Sequence, residues 1–139
     1  MIILDTNVIS ELISVNPNQS VSHWFKFLPA HDVYTTAITE AEMQYGASRL
    51  DAGRRKAAFE GLLQEIFTVR FADRVLPFDR AAAAVFGDML VRRERLGLNI
   101  DYPDLQIAAI ALSRGSSVAT RNITDFEHCG VDIIDPWNN

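Results

Sequence analysis

The sequence predicts an α/β fold in which helices flank a parallel five-stranded sheet. Short apolar segments with the composition of strands alternate with longer segments that repeat apolar residues at helical spacing. Strands that alternate with helices usually form a parallel sheet that is covered on both faces. A length of 139 residues corresponds to about one domain. We therefore expect a single domain over residues 1–139.

The predicted strands are short and spread along the whole chain. Each has apolar or β-branched residues and lies beside turn-forming or helix-forming residues. The segments are 2–4, 33–36, 75–78, 117–120 and 131–134. Because parallel strands have their carboxyl ends at one edge of the sheet, polar residues that follow these strands should meet there.

Helix signals fill the intervals between the strands. Asn16 and Pro17 fit the cap and first residue of one helix. Apolar residues at helical spacing predict a second helix through 59–67, and Asp79 should cap a third helix that ends at Gly97.

The composition limits the classes of protein to which the chain can belong. Hydrophobic residues make up 48% and charged residues 22%, as in ordinary globular proteins, and no apolar stretch is long enough to span a bilayer. The first residues lack the pattern of a secretory signal, and the single cysteine, Cys129, excludes an internal disulfide. We therefore expect a cytoplasmic protein without a membrane segment.

The charge pattern argues against bulk binding of nucleic acid. A net charge of −5 does not suit a protein that coats phosphates, although it leaves room for a small nucleic-acid active site. Basic residues cluster at 54–56 and at Arg92, Arg93 and Arg95. Solvated helix faces explain both clusters better than phosphate contacts do.

Two aspartates stand out beside strand or helix ends. Asp5 follows the first strand, where it can be a turn residue, a helix cap or a functional acid. Asp104 lies in the first turn of a predicted helix, where capping alone would explain an acid. Its spacing to Ile107, Ala108 and Ala111 nevertheless places it on the stripe that faces the core. Asp101 is the better candidate for the cap.

Glu42 is the third candidate. Thr39 could form a capping box with Glu42, which would make the acid structural. Glu42 also lies at the boundary of the apolar stripe, whereas Glu40 should be more solvated. Both interpretations of Glu42 stay open at this point.

A polar segment follows the fourth strand. Thr120 or Asn122 could cap a helix there, and Asp125 lies three residues beyond Asn122. Small polar groups and Arg121 at a strand's carboxyl end also suit a phosphate or a metal-associated water.

Four motifs follow one another along nearly the whole chain: Asp5-Thr6-Asn7, Ala37-Ile38-Thr39 leading to Glu42 and Gly46, Asp104 followed by Ile107-Ala108-Ala109, and Thr120-Arg121-Asn122. Their order and spacing closely resemble PIN-domain ribonucleases. The resemblance is strongest to the toxins of bacterial type II toxin–antitoxin pairs, of the VapC and FitB type. The closing Asp135-Pro136-Trp137 resembles the FitB-like branch.

The resemblance implies a PIN-like domain with a metal held by acids matching Asp5, Glu42 and Asp104. A fourth acid is often found where this chain has Asn122, so all four positions are catalytic candidates. Asparagine adds no negative charge, and a second metal would therefore bind weakly unless Asp125 or Asp101 substitutes. Oxygen ligands without histidine or cysteine favour Mg²⁺ or Mn²⁺.

We also hypothesise a role for each of these residues and for their neighbours. Asp5 and Asp104 would hold Mg²⁺, while Glu42 would hold a second ion or orient the attacking water. Asn122 and Thr120 would complete the water shell, and Arg121 would contact a substrate phosphate. Thr6 joins Thr120, Asp101 and Asp125 as an auxiliary candidate.

The implied substrate is single-stranded RNA, and the implied partner is a small antitoxin whose C-terminal segment covers the acidic pocket. Operator DNA would be bound only through the antitoxin, and a homodimer is expected. Asn122 leaves one alternative open, a weakly active or inactive PIN protein that serves as an antitoxin-bound co-repressor.

Two other enzyme classes fit less well. A haloacid-dehalogenase-like phosphatase has a second aspartate two residues after the first, where this chain has Asn7. A dinucleotide-binding domain needs a glycine-rich turn after the first strand, and this chain lacks one.

Overall fold

The computed structural model describes residues 1–139 and contains one parallel sheet of five short strands. The strands are β1 (Ile2–Leu4), β2 (Val33–Thr36), β3 (Val75–Leu76), β4 (Ser117–Ala119) and β5 (Ile133–Ile134). Their order across the sheet is β3-β2-β1-β4-β5, and every neighbouring pair is parallel. The chain therefore moves outward in one direction from β1 and later returns to build β4 and β5 on its other side. The resulting switch point lies between β1 and β4, where open α/β sheets bind ligands.

The predicted number, place and parallel arrangement of the strands are confirmed, but three strands are shorter than predicted. β3 ends at Leu76 because Pro77, which follows, has no N–H to continue a ladder. β4 ends at Ala119, one residue before its predicted end at Thr120, although the Thr120 N–H still donates to Ile134 O at 3.0 Å. The first two residues predicted for β5 precede the paired segment.

Seven helices connect and cover the strands. They are α1 (Thr6–Leu12), α2 (Gln19–Lys26), α3 (Ala37–Ser48), α4 (Arg54–Glu65), α5 (Arg80–Arg95), α6 (Tyr102–Ser113) and α7 (Ile123–Phe126). A short 3₁₀ turn covers Ala30–Asp32, and a wider π-helical turn, Ile66–Arg70, follows α4. None of the helices has the length and apolar character needed to cross a membrane.

The core consists of two apolar clusters, one on each face of the sheet. Ile3 of β1 belongs to the cluster beneath α5 and α6, whereas its neighbour Leu4 belongs to the cluster beneath α1, α3 and α4. Val118 and Ala119 of β4 divide in the same way. Successive side chains of a strand point to opposite faces, so these central strands are buried on both sides.

Two helix predictions need correction. α2 begins after Asn18, not Asn16, because the Asn18 side chain accepts hydrogen bonds from the N–H groups of Ser20 and Val21. The helix predicted through 59–67 ends as an α-helix at Glu65 and continues as the π-helical turn.

The prediction for the second basic cluster is also partly wrong. Residues 54–56 begin α4 at an exposed or partly exposed surface, as expected. Arg92 and Arg95 are exposed too, but Arg93 is fully buried, with 1% of its surface accessible. Backbone carbonyl groups accept its hydrogen bonds, and two of them, 31 and 34 residues away, could not be inferred from any local pattern.

Asp79→Ala is expected to destabilise the protein by about 1 kcal/mol. Asp79 is the predicted cap of α5, and its carboxylate accepts from Ala82 N over 3.0 Å. Its half-exposed ion pair with Arg114, at 3.4 Å, should add little. Urea denaturation measures the change. Asp88→Ala, at an exposed position of the same helix, is the matched control and should be nearly neutral. Equal effects at the two positions would contradict the capping role.

Candidate active site

The switch point of the sheet places two polar side chains side by side. Asp5 follows β1 and Thr120 follows β4, and the Asp5 N–H donates to Ala119 O over 3.0 Å. The Thr120 hydroxyl donates to Asp5 Oδ2 over 2.7 Å. The parallel register of β1 and β4 therefore holds residues 115 positions apart in direct contact.

Asp5 is both a helix cap and a buried acid. Its Oδ1 accepts from Thr6 N at 2.7 Å, which starts α1, and its Oδ2 also accepts from Asn7 Nδ2 at 2.9 Å. Only 1% of the residue is exposed. Burial raises the pKa of the Asp5 carboxyl, although its hydrogen bonds with Thr120, Thr6 and Asn7 act in the opposite direction. The capping and functional interpretations of Asp5 are compatible in this geometry.

Glu42 reaches the same region from α3. The capping-box alternative is wrong, because the cap of α3 is Thr36, whose hydroxyl accepts from Thr39 N at 3.1 Å. Thr39 instead contacts Thr6, with 3.1 Å between the hydroxyl oxygens. Thr6 in turn donates to Glu42 Oε1 at 2.7 Å. Burial raises the pKa of Glu42, and the negative charges of Asp5 and Asp101 add to the effect.

Asp104 is the third acid of this region with a raised pKa. It lies in the first turn of α6, where Asp101 is the cap and accepts from Asp104 N at 3.0 Å, as predicted. The Asp104 residue is 6% exposed, and no amide, guanidinium or hydroxyl group of the chain donates to its carboxylate. Burial, followed by the charges of Asp5 and Asp101, raises the pKa of Asp104 to about 8. Its hydrogen-bonding neighbour is the carboxyl group of Asp125, which also raises the pKa of Asp104, because two ionised carboxylates at this place would repel each other.

Asp101 and Asp125 complete a second grouping of acids around Asp104. Carboxylate oxygens of the three residues lie within 4.8 Å of one another. Asp125 belongs to the short helix α7, which begins just after Asn122. We call Asp101, Asp104 and Asp125 the acid triad. Asp104 is thus shared between the triad and the pocket that contains Asp5 and Glu42.

The pocket has a volume of about 490 Å³ and opens at the carboxyl edge of the sheet. Polar residues dominate its lining, which comprises Asp5, Thr6, Asn7, Ser10, Glu11, Glu42, Asp104, Arg121, Asn122 and Trp137. A larger cavity of about 590 Å³ elsewhere is lined mainly by apolar residues and contains no carboxylate. The polar pocket is therefore the candidate active site.

The segment after β4 forms part of the rim. Arg121 is exposed, and its guanidinium lies 5.2 Å from the centre of the Trp137 ring. Asn122 lines the pocket, and its N–H donates to the Thr120 hydroxyl at 2.9 Å. Thr120 itself is fully buried and does not line the pocket. Its hydroxyl supports Asp5 and the Asn122 backbone.

Sequence reasoning missed Asn7 as a site residue. Its Nδ2 donates to Asp5 and, at 3.3 Å, to Thr120 Oγ1, while its Oδ1 accepts from Arg121 N at 3.1 Å. One side chain thus links the segments that follow β1 and β4. The position of Asn7 two residues after Asp5 was visible in the sequence, but its other two partners, Thr120 and Arg121, belong to the distant segment that follows β4.

The donor set of this region fits a hard divalent cation. No histidine or cysteine lines the pocket, and its acids offer only carboxylate oxygens. Asp104 presents a buried carboxylate without a donor, and other acids surround it. Mg²⁺ and Mn²⁺ prefer such ligands, and their charge would offset the mutual repulsion of the acids. Asp5, Asp104, Glu42, Asp101 and Asp125 are the residues that could hold such an ion.

Thr120→Val is expected to destabilise the protein by about 1–3 kcal/mol, because it removes a buried donor from Asp5 and an acceptor from Asn122 N. Urea denaturation measures the loss. Thr124→Val, at an exposed position of α7, is the matched control and should be nearly neutral. A Thr120→Val protein as stable as wild type would show that the hydroxyl contact contributes nothing.

The fold and its acidic pocket define the class of protein. A family model described as PIN domain matches residues 2–130. The chain belongs to the PIN domain family.

Within this family, the chain is similar to known toxins and ribonucleases. "VapC ribonuclease Y4jK" of Sinorhizobium fredii is 40% identical over 137 residues, which cover 99% of this chain and 98% of the relative. "Toxin FitB" of Neisseria gonorrhoeae is 37% identical over 139 residues, which cover 100% of both chains. A chain of the solved structure "Structure of FitAB bound to IR36 DNA fragment" superposes with a TM-score of 0.91 at 38% identity, covering 99% of this chain and 96% of that one. The protein is thus a PIN-domain chain of the VapC and FitB type.

Proposed function

We propose that this protein is a metal-dependent ribonuclease and the toxin component of a type II toxin–antitoxin pair, hydrolysing phosphodiester bonds of single-stranded RNA in the cytoplasm. The observation that carries the proposal is the meeting of Asp5, Glu42 and Asp104 in one polar pocket from three distant elements. The names of the two relatives, a ribonuclease and a toxin, support the reaction class.

We assign metal binding to Asp5 and Asp104, with Glu42 at a second ion or at the attacking water. Asn122 lines the pocket as a neutral group, so it contributes no charge to the site. The triad is consistent with Asp125 or Asp101 substituting for the acid missing at Asn122, since both bring a further acid to Asp104. The negative charge that Asn122 lacks is thereby supplied from the other side of Asp104.

A bound Mg²⁺ or Mn²⁺ supplies Lewis-acid stabilisation of the phosphate charge and lowers the pKa of the attacking water. Glu42 is suited to orient that water and take its proton, because burial raises the pKa of its carboxyl and Thr6 fixes one of its oxygens. Asn7 and Thr120 hold the Asp5 carboxylate in place. Arg121, exposed at the rim, binds a substrate phosphate.

We further propose that a cognate antitoxin covers the pocket and that DNA is bound only through it. The support is the similarity of this chain to one in the solved structure of FitAB bound to a DNA fragment. Asn122 favours one alternative function, a weakly active or inactive protein that acts as an antitoxin-bound co-repressor. RNA cleavage by the free protein separates the two functions.

The test incubates purified, partner-free protein with a mixed single-stranded RNA pool in the presence of Mg²⁺, Mn²⁺ or a chelator. We expect cleavage by wild type only with metal, and a loss of cleavage in Glu42→Gln. Glu40→Gln, two residues earlier on α3 and outside the pocket lining, is the matched control and should cleave normally. Cleavage that survives the chelator would refute metal dependence. Folded wild type that binds metal but cuts no RNA would favour the co-repressor function.

A further inference from the structure

Arg93 of α5 is a buried cation whose guanidinium is bound by backbone carbonyl groups. Its Nε and Nη2 donate to Asn99 O at 3.0 and 2.8 Å. Its Nη1 donates to Glu127 O at 2.6 Å and to Thr124 O at 3.3 Å, while Nη2 reaches Thr124 O at 3.4 Å. A single planar group therefore connects α5 to two other segments of the chain.

Both segments carry an outer member of the acid triad. Asn99 lies two residues before Asp101, in the loop that leads into α6. Thr124 and Glu127 enclose Asp125 in α7 and at its end. Arg93 makes no hydrogen bond to a carboxylate of the triad, yet it binds the backbone on both sides of Asp104.

A gain in stability alone does not explain well why the Arg93 guanidinium is buried. Burying a guanidinium has a large desolvation cost, and apolar residues of similar volume often stabilise a core as well or better. The rigid fork of donors has one property that an apolar side chain lacks, since it can bind carbonyl groups of separate segments at fixed positions.

We propose that Arg93 is a positioning residue that holds Asp101 and Asp125 against Asp104 and thereby sets the affinity of the triad for a divalent cation. The inference rests on the proposed function, because it assigns the triad a metal. Groups that orient metal ligands typically change metal affinity by about 10–100-fold when they are removed.

The sign of the effect separates positioning from simple electrostatics. A buried positive charge near the triad repels a divalent cation, so loss of that charge alone would raise the affinity for metal. Loss of the bridging hydrogen bonds would lower it, because Asp101 and Asp125 could then move away from Asp104. A lower affinity after removal of Arg93 is therefore evidence for positioning.

The experiment titrates Mn²⁺ into partner-free wild type, Arg93→Met and Arg93→Lys, using calorimetry and the Mn²⁺-induced shift of the unfolding temperature. We expect Arg93→Met to bind Mn²⁺ about tenfold more weakly than wild type. Arg93→Lys keeps the charge but cannot bridge the three carbonyl groups, so its affinity should also fall, by a smaller factor. If Arg93→Met does not fold, Arg93→Lys decides the question.

Two control variants separate the effect of Arg93 on metal affinity from the effects of a lost charge and of lower stability. Arg92→Met removes the same charge from the neighbouring exposed position and should leave the affinity unchanged or slightly higher. Leu63→Ala opens the core cluster on the opposite face of the sheet and should lower stability without changing the affinity of the folded protein. Unchanged or increased affinity in a folded Arg93 variant would overturn the positioning role. Wild type without saturable Mn²⁺ binding would instead overturn the metal site itself.

Discussion

Replacing Asp104 with asparagine is expected to stabilise the metal-free protein and to abolish its binding of divalent cations. The Asp104 residue is 6% exposed, no amide, guanidinium or hydroxyl group donates to its carboxylate, and its pKa is raised to about 8. An amide of nearly the same shape has no charge to bury and can donate to Asp101 or Asp125. We expect a gain of about 1–2 kcal/mol at pH 8, typical of removing strain from a functional site. Urea denaturation in chelator measures the stability, and calorimetric titration with Mn²⁺ measures the binding.

The pH dependence of the stability of the metal-free protein tests the same prediction in a second way. The pKa of Asp104 is near 8 when folded, against an ordinary value of 3.8, so the folded state binds more protons between these values. The free energy of unfolding should therefore fall as the pH rises from about 4 to about 8. Asp104→Asn should reduce that fall, and the remainder comes from Asp5 and Glu42, whose pKa values are raised as well.

Asp132→Asn is the matched control for this prediction, because it changes an exposed aspartate in the same way. It should keep both the wild-type pH dependence and the wild-type metal affinity. An Asp104→Asn protein that is less stable than wild type at pH 8 would contradict our description of the buried carboxylate. Retained Mn²⁺ binding in that variant would contradict its role as a ligand.

RNA cleavage should depend most strongly on Asp5. Asp5→Asn is expected to lower the single-turnover rate at saturating Mn²⁺ by more than about a hundredfold. Removing a group that only orients a metal ligand lowers activity by about 10–100-fold, and removing the ligand itself should lower it further. The variant should still fold, since the remaining oxygen can accept from Thr6 N, and only the donors of Asn7 and Thr120 lose their acceptor at Oδ2.

Asp51→Asn, at an exposed position, is the matched control and should cleave RNA at the wild-type rate. Circular dichroism and thermal unfolding would show that Asp5→Asn remains folded. Cleavage by a folded Asp5→Asn protein within a few-fold of wild type would show that this carboxylate is not a metal ligand in the reaction.

The features that follow strand ends could be predicted from the sequence. Asp5 comes directly after an apolar strand, and Asp104 lies on the inward stripe of an apolar helix. Parallel strands share one carboxyl edge, so local pattern and topology together bring both acids to the same edge. Asp79 and Asp101 were predictable as caps for a similar reason, since capping depends on neighbours within three residues.

The remaining features depend on contacts between distant segments. Nothing near Arg93 in the sequence indicates that its guanidinium binds carbonyl groups 31 and 34 residues away. The approach of Asp125 to Asp104 likewise depends on how α7 packs beside α6. Asn16 and Asn18 are both suitable caps by residue type, and the structure selects Asn18, whose N–H also donates to Glu11 Oε1 of the preceding helix.

The most direct test of the metal site is anomalous scattering from a crystal of the partner-free protein soaked in Mn²⁺. We expect an anomalous peak in the polar pocket, with carboxylate oxygens of Asp5 and Asp104 about 2.1 Å from the ion, as hard cations of this size require. Under the same conditions, Asp104→Asn should show no peak there. A fully occupied Mn²⁺ that contacts neither Asp5 nor Asp104, or a wild-type site that stays empty at saturating Mn²⁺, would contradict the proposed metal site.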